Sequence, residues 1–352
     1  MGKSLEIINN LMYGKTLRIA LPIRKSMIKR INTMVIEHDV TRLVIVRDSS
    51  REPVCSLKFL NNFAESKRIT SLELYSYFYD FDCVYRFENL ESLDCFIFND
   101  ETLDLSRFKK LKTLSTTQLE PYENLDKTII ERLNVVGSFG STLINAKLDP
   151  GKLSQLHQLK DLRLFEKVKD FSFEEVTGLD NLENIVISQC NIKNFNGIEK
   201  FPSLKSVVAS YCSSLSDISA INKLPNLLNL DLGSCPRIKD LAAIANNKSL
   251  RALCLNSYKN VDIEIIKTLK ELRFLYLNNC NPIPSIKFID DLKKMVSLTL
   301  ISTKIVDGDL NPAMRLKNTN IMVMRHYNID EDKLPSDMKY SYPYSIDLLL
   351  NS

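Results

Sequence analysis

The apolar positions of this chain recur with a long period. Leu162, Ile185, Val207, Leu230, Leu253, Leu275, Leu298 and Ile321 align as anchors, with gaps of 23, 22, 23, 23, 22, 23 and 23 residues. Around the first seven, the local pattern is apolar, two variable, apolar, one variable, apolar, as in Leu227-Leu228-Asn229-Leu230-Asp231-Leu232. Ile321 keeps only the later part, with Asn318 where the first apolar residue is expected. The alternation at each anchor predicts a short strand with its leucines on one face. Further apolar residues follow about every three positions (Leu215, Ile218, Ile221, Leu224), a spacing that suits 3₁₀ turns and extended backbone better than a long α-helix.

Before residue 156 the period loosens. Strands are expected around Leu43, Leu72, Leu93, Leu114 and Leu133, with gaps of 29, 21, 21 and 19 residues. The longer gaps leave room for a helix, and Leu57–Ile69 has suitable spacing at Leu57, Leu60, Phe63 and Ala64. Thr16–Ala20 and Thr33–Glu37 read as strands, and residues 22–32 as a possible basic helix face carrying Arg24, Lys25, Lys29 and Arg30. The expected organisation is an N-terminal cap over 1–37, irregular repeats over 38–155, regular repeats over 156–323 and a C-terminal cap over 324–352.

Five residues after the anchor stands a recurrent cysteine: Cys190, Cys212, Cys235 and Cys280. With the strand pattern, this resembles the leucine-rich repeat, L-x-x-L-x-L-x-x-N/C-x-L. Ser216-Asp217-Ile218-Ser219-Ala220-Ile221 and Ile238-Lys239-Asp240-Leu241-Ala242-Ala243-Ile244 resemble the short-repeat class of internalins and of a phosphatase regulatory subunit. The resemblance implies an α/β solenoid. Its arc would carry a parallel β-sheet on the concave face and short 3₁₀, extended or helical segments on the convex face. It also implies partner binding by the concave face.

Counting from the anchors picks out the side chains of that face. Glu73, Asp94, Arg163, Asp231 and Tyr276 stand one position after an anchor; Tyr75, Phe96, Phe165 and Asn278 stand three after; Phe274 stands one before. Aromatic side chains on a rigid face are typical interface anchors. These ten residues are the candidate partner-binding set, and the expected partner is another protein.

Composition narrows the chemistry. The 352 residues are 44% hydrophobic and 26% charged, which is globular. Net charge is +4, and no basic stripe recurs from coil to coil, so nucleic acid is the secondary expectation, through the basic N-terminal segment. His38, His157 and His326 lie far apart in sequence, and no Gly-rich phosphate loop or Cys-x-x-Cys occurs. No enzyme activity, cofactor or metal is expected. No apolar run of about 18 residues suggests a membrane span. Eight scattered cysteines and no secretory leader pattern predict reduced thiols and a cytoplasmic protein.

Overall fold

The computed structural model describes residues 5–10, 14–47, 54–97, 100–139, 142–143, 148–168, 171–259 and 262–322. The C-terminal cap expected over 324–352, including His326, lies outside them. The chain divides into two compact units: residues 1–169 with 176–179, and residues 170–175 with 180–352.

In the first unit the main sheet runs β1 (Leu5–Asn10), β2 (Gly14–Leu21), β3 (Arg42–Arg47), β4 (Ser71–Tyr75), β5 (Ser92–Cys95), β6 (Thr113–Thr116), β7 (Arg132–Val136) and β8 (Asp161–Phe165), in that order. β1 and β2 are antiparallel, and every later neighbour is parallel. The irregular spacing left the register of these strands open, and the structure sets it: Leu43, Leu72, Leu93, Leu114, Leu133 and Leu162 stand opposite one another. Insertions between these strands lengthen the return segments without shifting the pairing.

Two expectations change here. Thr33–Glu37 is not a strand but the end of α1 (Lys25–Glu37). Its β-branched residues look strand-like in isolation, but Ile31 and Val35, four apart, are both buried on one helical face. The basic segment therefore lies on α1, where Lys29 and Arg30 are exposed. Residues 57–69 form two 3₁₀ turns, Lys58–Asn62 and Ser66–Arg68, not a helix.

In the second unit the order is β9 (Asn184–Ser188), β10 (Ser206–Ser210), β11 (Asn229–Gly233), β12 (Ala252–Asn256), β13 (Phe274–Asn278), β14 (Ser297–Ile301) and β15 (Asn318–Met322), all parallel. Ile185, Val207, Leu230, Leu253, Leu275 and Leu298 align. The last anchor does not. Leu298 faces Thr319, and Ile321 faces Leu300. An apolar residue two places along a strand has the same facing as the anchor, so the pattern alone could not separate the two registers.

Adjacent coils are joined by repeated backbone bonds at both ends of each strand. At entry, two successive N–H groups donate to one carbonyl of the preceding coil, as Leu228 and Asn229 do to Lys205 O at 2.8 and 3.0 Å. At exit, the residue four after the anchor turns into the left-handed region: Gln189, Tyr211, Ser234, Ser257, Asn279 and Ser302 have φ between 47° and 58°. For the first five, the N–H donates to the next coil at 2.8–2.9 Å. That conformation costs a non-glycine residue about 1–2 kcal/mol; the bond it makes returns a similar amount.

The thiol ladder lies directly behind these corners. Cys190, Cys212, Cys235 and Cys280 are buried thiols outside any disulfide, and each Sγ donates to the carbonyl two residues before it at 3.3–3.5 Å. Cys212, Cys235 and Cys280 also reach a carbonyl of the preceding coil at 3.8, 3.7 and 3.5 Å. In the next coil Thr303 makes the same two bonds through Oγ1, at 3.0 and 3.4 Å. The ladder is therefore a device for satisfying turn carbonyls. The Cys235 thiol is pushed up by its hydrogen bond to Cys212 and by burial, which keeps it protonated.

The interior is filled by leucines and by rings such as Phe173, Phe195 and Phe201, all fully buried. Phe173 meets Phe171 and Phe201 edge-on at 4.9 and 6.1 Å between centroids. Gly197, at φ +98°, lies against this cluster, and a Cβ there would fall on the backbone of Phe173 and Glu174. Gly197→Ala is therefore expected to cost at least about 2 kcal/mol. A lowered urea midpoint by circular dichroism checks this, and an unchanged midpoint would show that the two segments separate freely.

Candidate functional site

Each strand presents three side chains on the face opposite the leucines, at positions −1, +1 and +3 from its anchor. The two units differ sharply in what they place there.

On β3–β8 the face is charged. Arg42 forms an ion pair with Glu73, which is buried. Glu73 faces Asp94 across the β4–β5 pair. Tyr75 is 37% exposed, donates from its hydroxyl to Asp94 Oδ2 at 3.3 Å, and stacks on Phe96 at 6.3 Å. Burial holds the Asp94 carboxyl above its usual range; Glu73's charge adds to the rise, and a hydrogen bond with Ser115 opposes it. Burial and the same two carboxylates push the Tyr75 phenol up, so it remains a donor. Further along, Asn134 Nδ2 donates to Ser115 Oγ at 3.0 Å. Arg132 and Arg163 both bind Asp161, at 2.9 and 2.8 Å. Those bonds raise the Arg163 guanidinium further, and Phe165 is half-buried beyond it.

On β9–β14 the face is almost uncharged, and Asp231 is its single ionisable carboxylate or base. Its neighbours are small and polar: Ser210 Oγ bonds Ser188 Oγ at 3.0 Å, and Asn229 Nδ2 donates to Ser206 Oγ at 2.9 Å. Burial raises the Asp231 carboxyl, while a hydrogen bond with Cys254 lowers it. Phe274 and Asn278 are half-buried.

The ten candidate residues thus fall into two groups. Glu73, Tyr75, Asp94 and Phe96 meet on β4 and β5 and just beyond; Arg163 and Phe165 share β8. Asp231, Phe274, Tyr276 and Asn278 lie on β11 and β13. Two rings expected to be exposed are covered: Phe96 is 5% and Tyr276 is 7% exposed. On a sheet face an outward ring lies across its cross-strand neighbours, and Phe96 stacks under Tyr75 in this way. Strand alternation gives the direction of a side chain but not what covers it. The candidate set left out Asp161, which counting from the anchors places on the outward face: it is the buried carboxylate that holds two arginines. Its signal was available, since Asp161 precedes an anchor and both arginines stand at outward positions.

Among the described residues, no group of three or more His, Cys, Asp or Glu is placed to hold a metal. Among them also, no helix is long and apolar enough to cross a membrane.

No family model matches the chain, and no curated protein matches it in sequence. Solved structures do. An internalin, InlF, from Listeria monocytogenes is 21% identical over 80% of this chain and 85% of its own, with a TM-score of 0.46. The Toll–Spatzle complex from Drosophila is 11% identical over 87% of this chain and 50% of the other, at 0.54. The TLR13–ssRNA13 complex is 17% identical over 86% and 46%, at 0.56. This chain spans about half the length of the last two. At these identities the likeness is one of fold.

The half-buried Asp231 carboxylate generates a testable outcome. Its folded-state pKa is raised, so ionisation costs stability above that pKa and the cost vanishes once the group is protonated in both states. Asp231→Asn is expected to raise the urea midpoint at pH 7. The gain should shrink as pH falls through the carboxylate range. A midpoint equal to or below wild type at pH 7 would count against burial as the dominant effect.

Proposed function

We propose that this leucine-rich-repeat protein is a recognition scaffold, taking a protein partner on the outward face of its strands and carrying out no reaction itself. One observation carries the reading. The outward face keeps rings at solvent on a backbone that is hydrogen-bonded on both sides: Tyr75 is exposed, and Phe165 and Phe274 are half-buried. A solvated sheet face has no need of such rings, whereas protein interfaces concentrate them at their anchors. Several strands together offer enough surface for a standard interface of about 1,600 Å². Within this reading the role is that of an inhibitor or immunity protein that occludes its target, or of an adaptor.

Fold relatives point both ways, since Toll is seen with Spatzle and TLR13 with a single-stranded RNA. Charge favours protein here. The outward arginines from β3 onward are Arg42, Arg132 and Arg163, and each is already paired with a carboxylate. Phosphate tracking needs cations that are not neutralised from within.

Affinity purification from the native source is expected to yield a stoichiometric protein. Its affinity should fall about tenfold or more on Phe274→Ala, with the melting temperature unchanged. Recovery of RNA in place of a protein, or a complex indifferent to both Phe274→Ala and Phe165→Ala, would overturn the reading.

A further inference from the structure

Among the described residues, the face of β4 and β5 places two carboxylates against one paired guanidinium. Between Ser71 and Asp104 the sequence holds nine carboxylates and one basic side chain, Arg86, although the whole chain is at +4. Cations from adjoining segments neutralise part of this block: Arg42 pairs with Glu73, Lys58 with Asp80 at 3.3 Å and Lys67 with Glu88 at 3.2 Å. On the outward face two carboxylates, Glu73 and Asp94, stand side by side with one guanidinium, on the Glu73 side. The neighbours of Asp94 are hydroxyls, from Tyr75 and Ser115. Beside them stands an exposed ring, Tyr75, backed by Phe96. Tyr77 and Tyr79 continue the exposed alternation along the same stretch.

We infer that this acidic, tyrosine-bearing face receives an arginine-containing segment of a protein partner, one guanidinium lying over the Tyr75 ring against Asp94. The inference rests on the scaffold reading above and gives the partner its chemistry. The chain itself uses both elements of such a site. Arg107 lies over the Tyr85 ring at 3.4 Å from its centroid, and Asp161 takes two guanidiniums at once. A planar guanidinium stacks on a ring while donating in its own plane to a carboxylate, which an ammonium does less well. It would also supply the positive charge that the Glu73–Asp94 pair lacks. An acidic face repels phosphate, so nucleic acid is disfavoured on this surface.

The test uses the full-length protein and a fluorescein-labelled peptide of five Arg-Ser repeats, read by anisotropy. Binding is expected to weaken with salt, and to weaken about tenfold on Asp94→Asn. Tyr75→Leu should cost about fivefold and Tyr75→Phe less than about twofold, because the ring and not the hydroxyl meets the cation. A Lys-Ser peptide should bind more weakly than the Arg-Ser one. Asp180→Asn removes an exposed carboxylate from the second unit and should leave binding unchanged. Removing the charge of the half-buried Asp94 should leave the protein at least as stable, and its melting curve verifies folding. Equal losses from Asp94→Asn and Asp180→Asn would reduce the effect to bulk charge and overturn the inference. So would a single-stranded RNA oligonucleotide that binds and is lost with Asp94→Asn. No peptide binding, with a protein partner still captured through Phe274, overturns the inference and leaves the scaffold reading standing. Loss of both removes the scaffold reading too.

Discussion

No coil of this chain is a folded object alone. Its leucines cover one face of a strand only about five residues long, and its backbone edge is left with unpaired N–H and C=O groups. A neighbouring coil removes both defects, burying the leucines against its own and completing the hydrogen bonds. The uniform register within each unit follows from this. A strand that slipped by one residue would turn Leu230 and Leu232 outward and break the bonds that Leu228 and Asn229 send to Lys205. The left-handed corners and the buried thiols serve the same end, since each closes a backbone group that the turn would otherwise strand.

Because the core side is so constrained, variety accumulates on the other side. Positions −1, +1 and +3 are free of the packing requirement, and the two units have filled them differently. The first carries a negative zone at Glu73 and Asp94 and a guanidinium-rich zone at Arg132 and Arg163. The second carries hydroxyls, amides and a single, half-buried carboxylate. The leucine framework is common to both, so chemical character is set here by side chains outside the leucine core.

The sequence disclosed the framework more fully than the surface. Before residue 156, gaps of 19 to 29 residues located the strands but left their register open, whereas from Ile185 to Leu298 the anchors could be matched to their partners from apolar spacing alone, because a buried apolar residue at a fixed strand position is a strong periodic signal. It failed where a physical ambiguity has the same period as the signal. Ile321 lies two residues from the true anchor position, and an alternation with period two does not separate the two registers. Residues 33–37 are β-branched but belong to a helix whose burial at Ile31 and Val35 comes from tertiary packing. Of the outward rings, Phe96 and Tyr276 are covered, because coverage depends on the lie of neighbouring side chains. Asp161 became recognisable only when Arg132 and Arg163 were seen converging on it.

The left-handed corners carry one more implication. Each asks its residue for a backbone angle and one N–H, and leaves the side chain at liberty: Gln189, Tyr211, Ser234, Ser257 and Asn279 all comply, and Tyr211 is 60% exposed. A corner of this kind imposes a geometry and tolerates almost any substituent. Such a row can drift, residue by residue, toward a new ligand while the joints beneath it stay fixed, and a whole coil can be copied or lost between two joints of identical form.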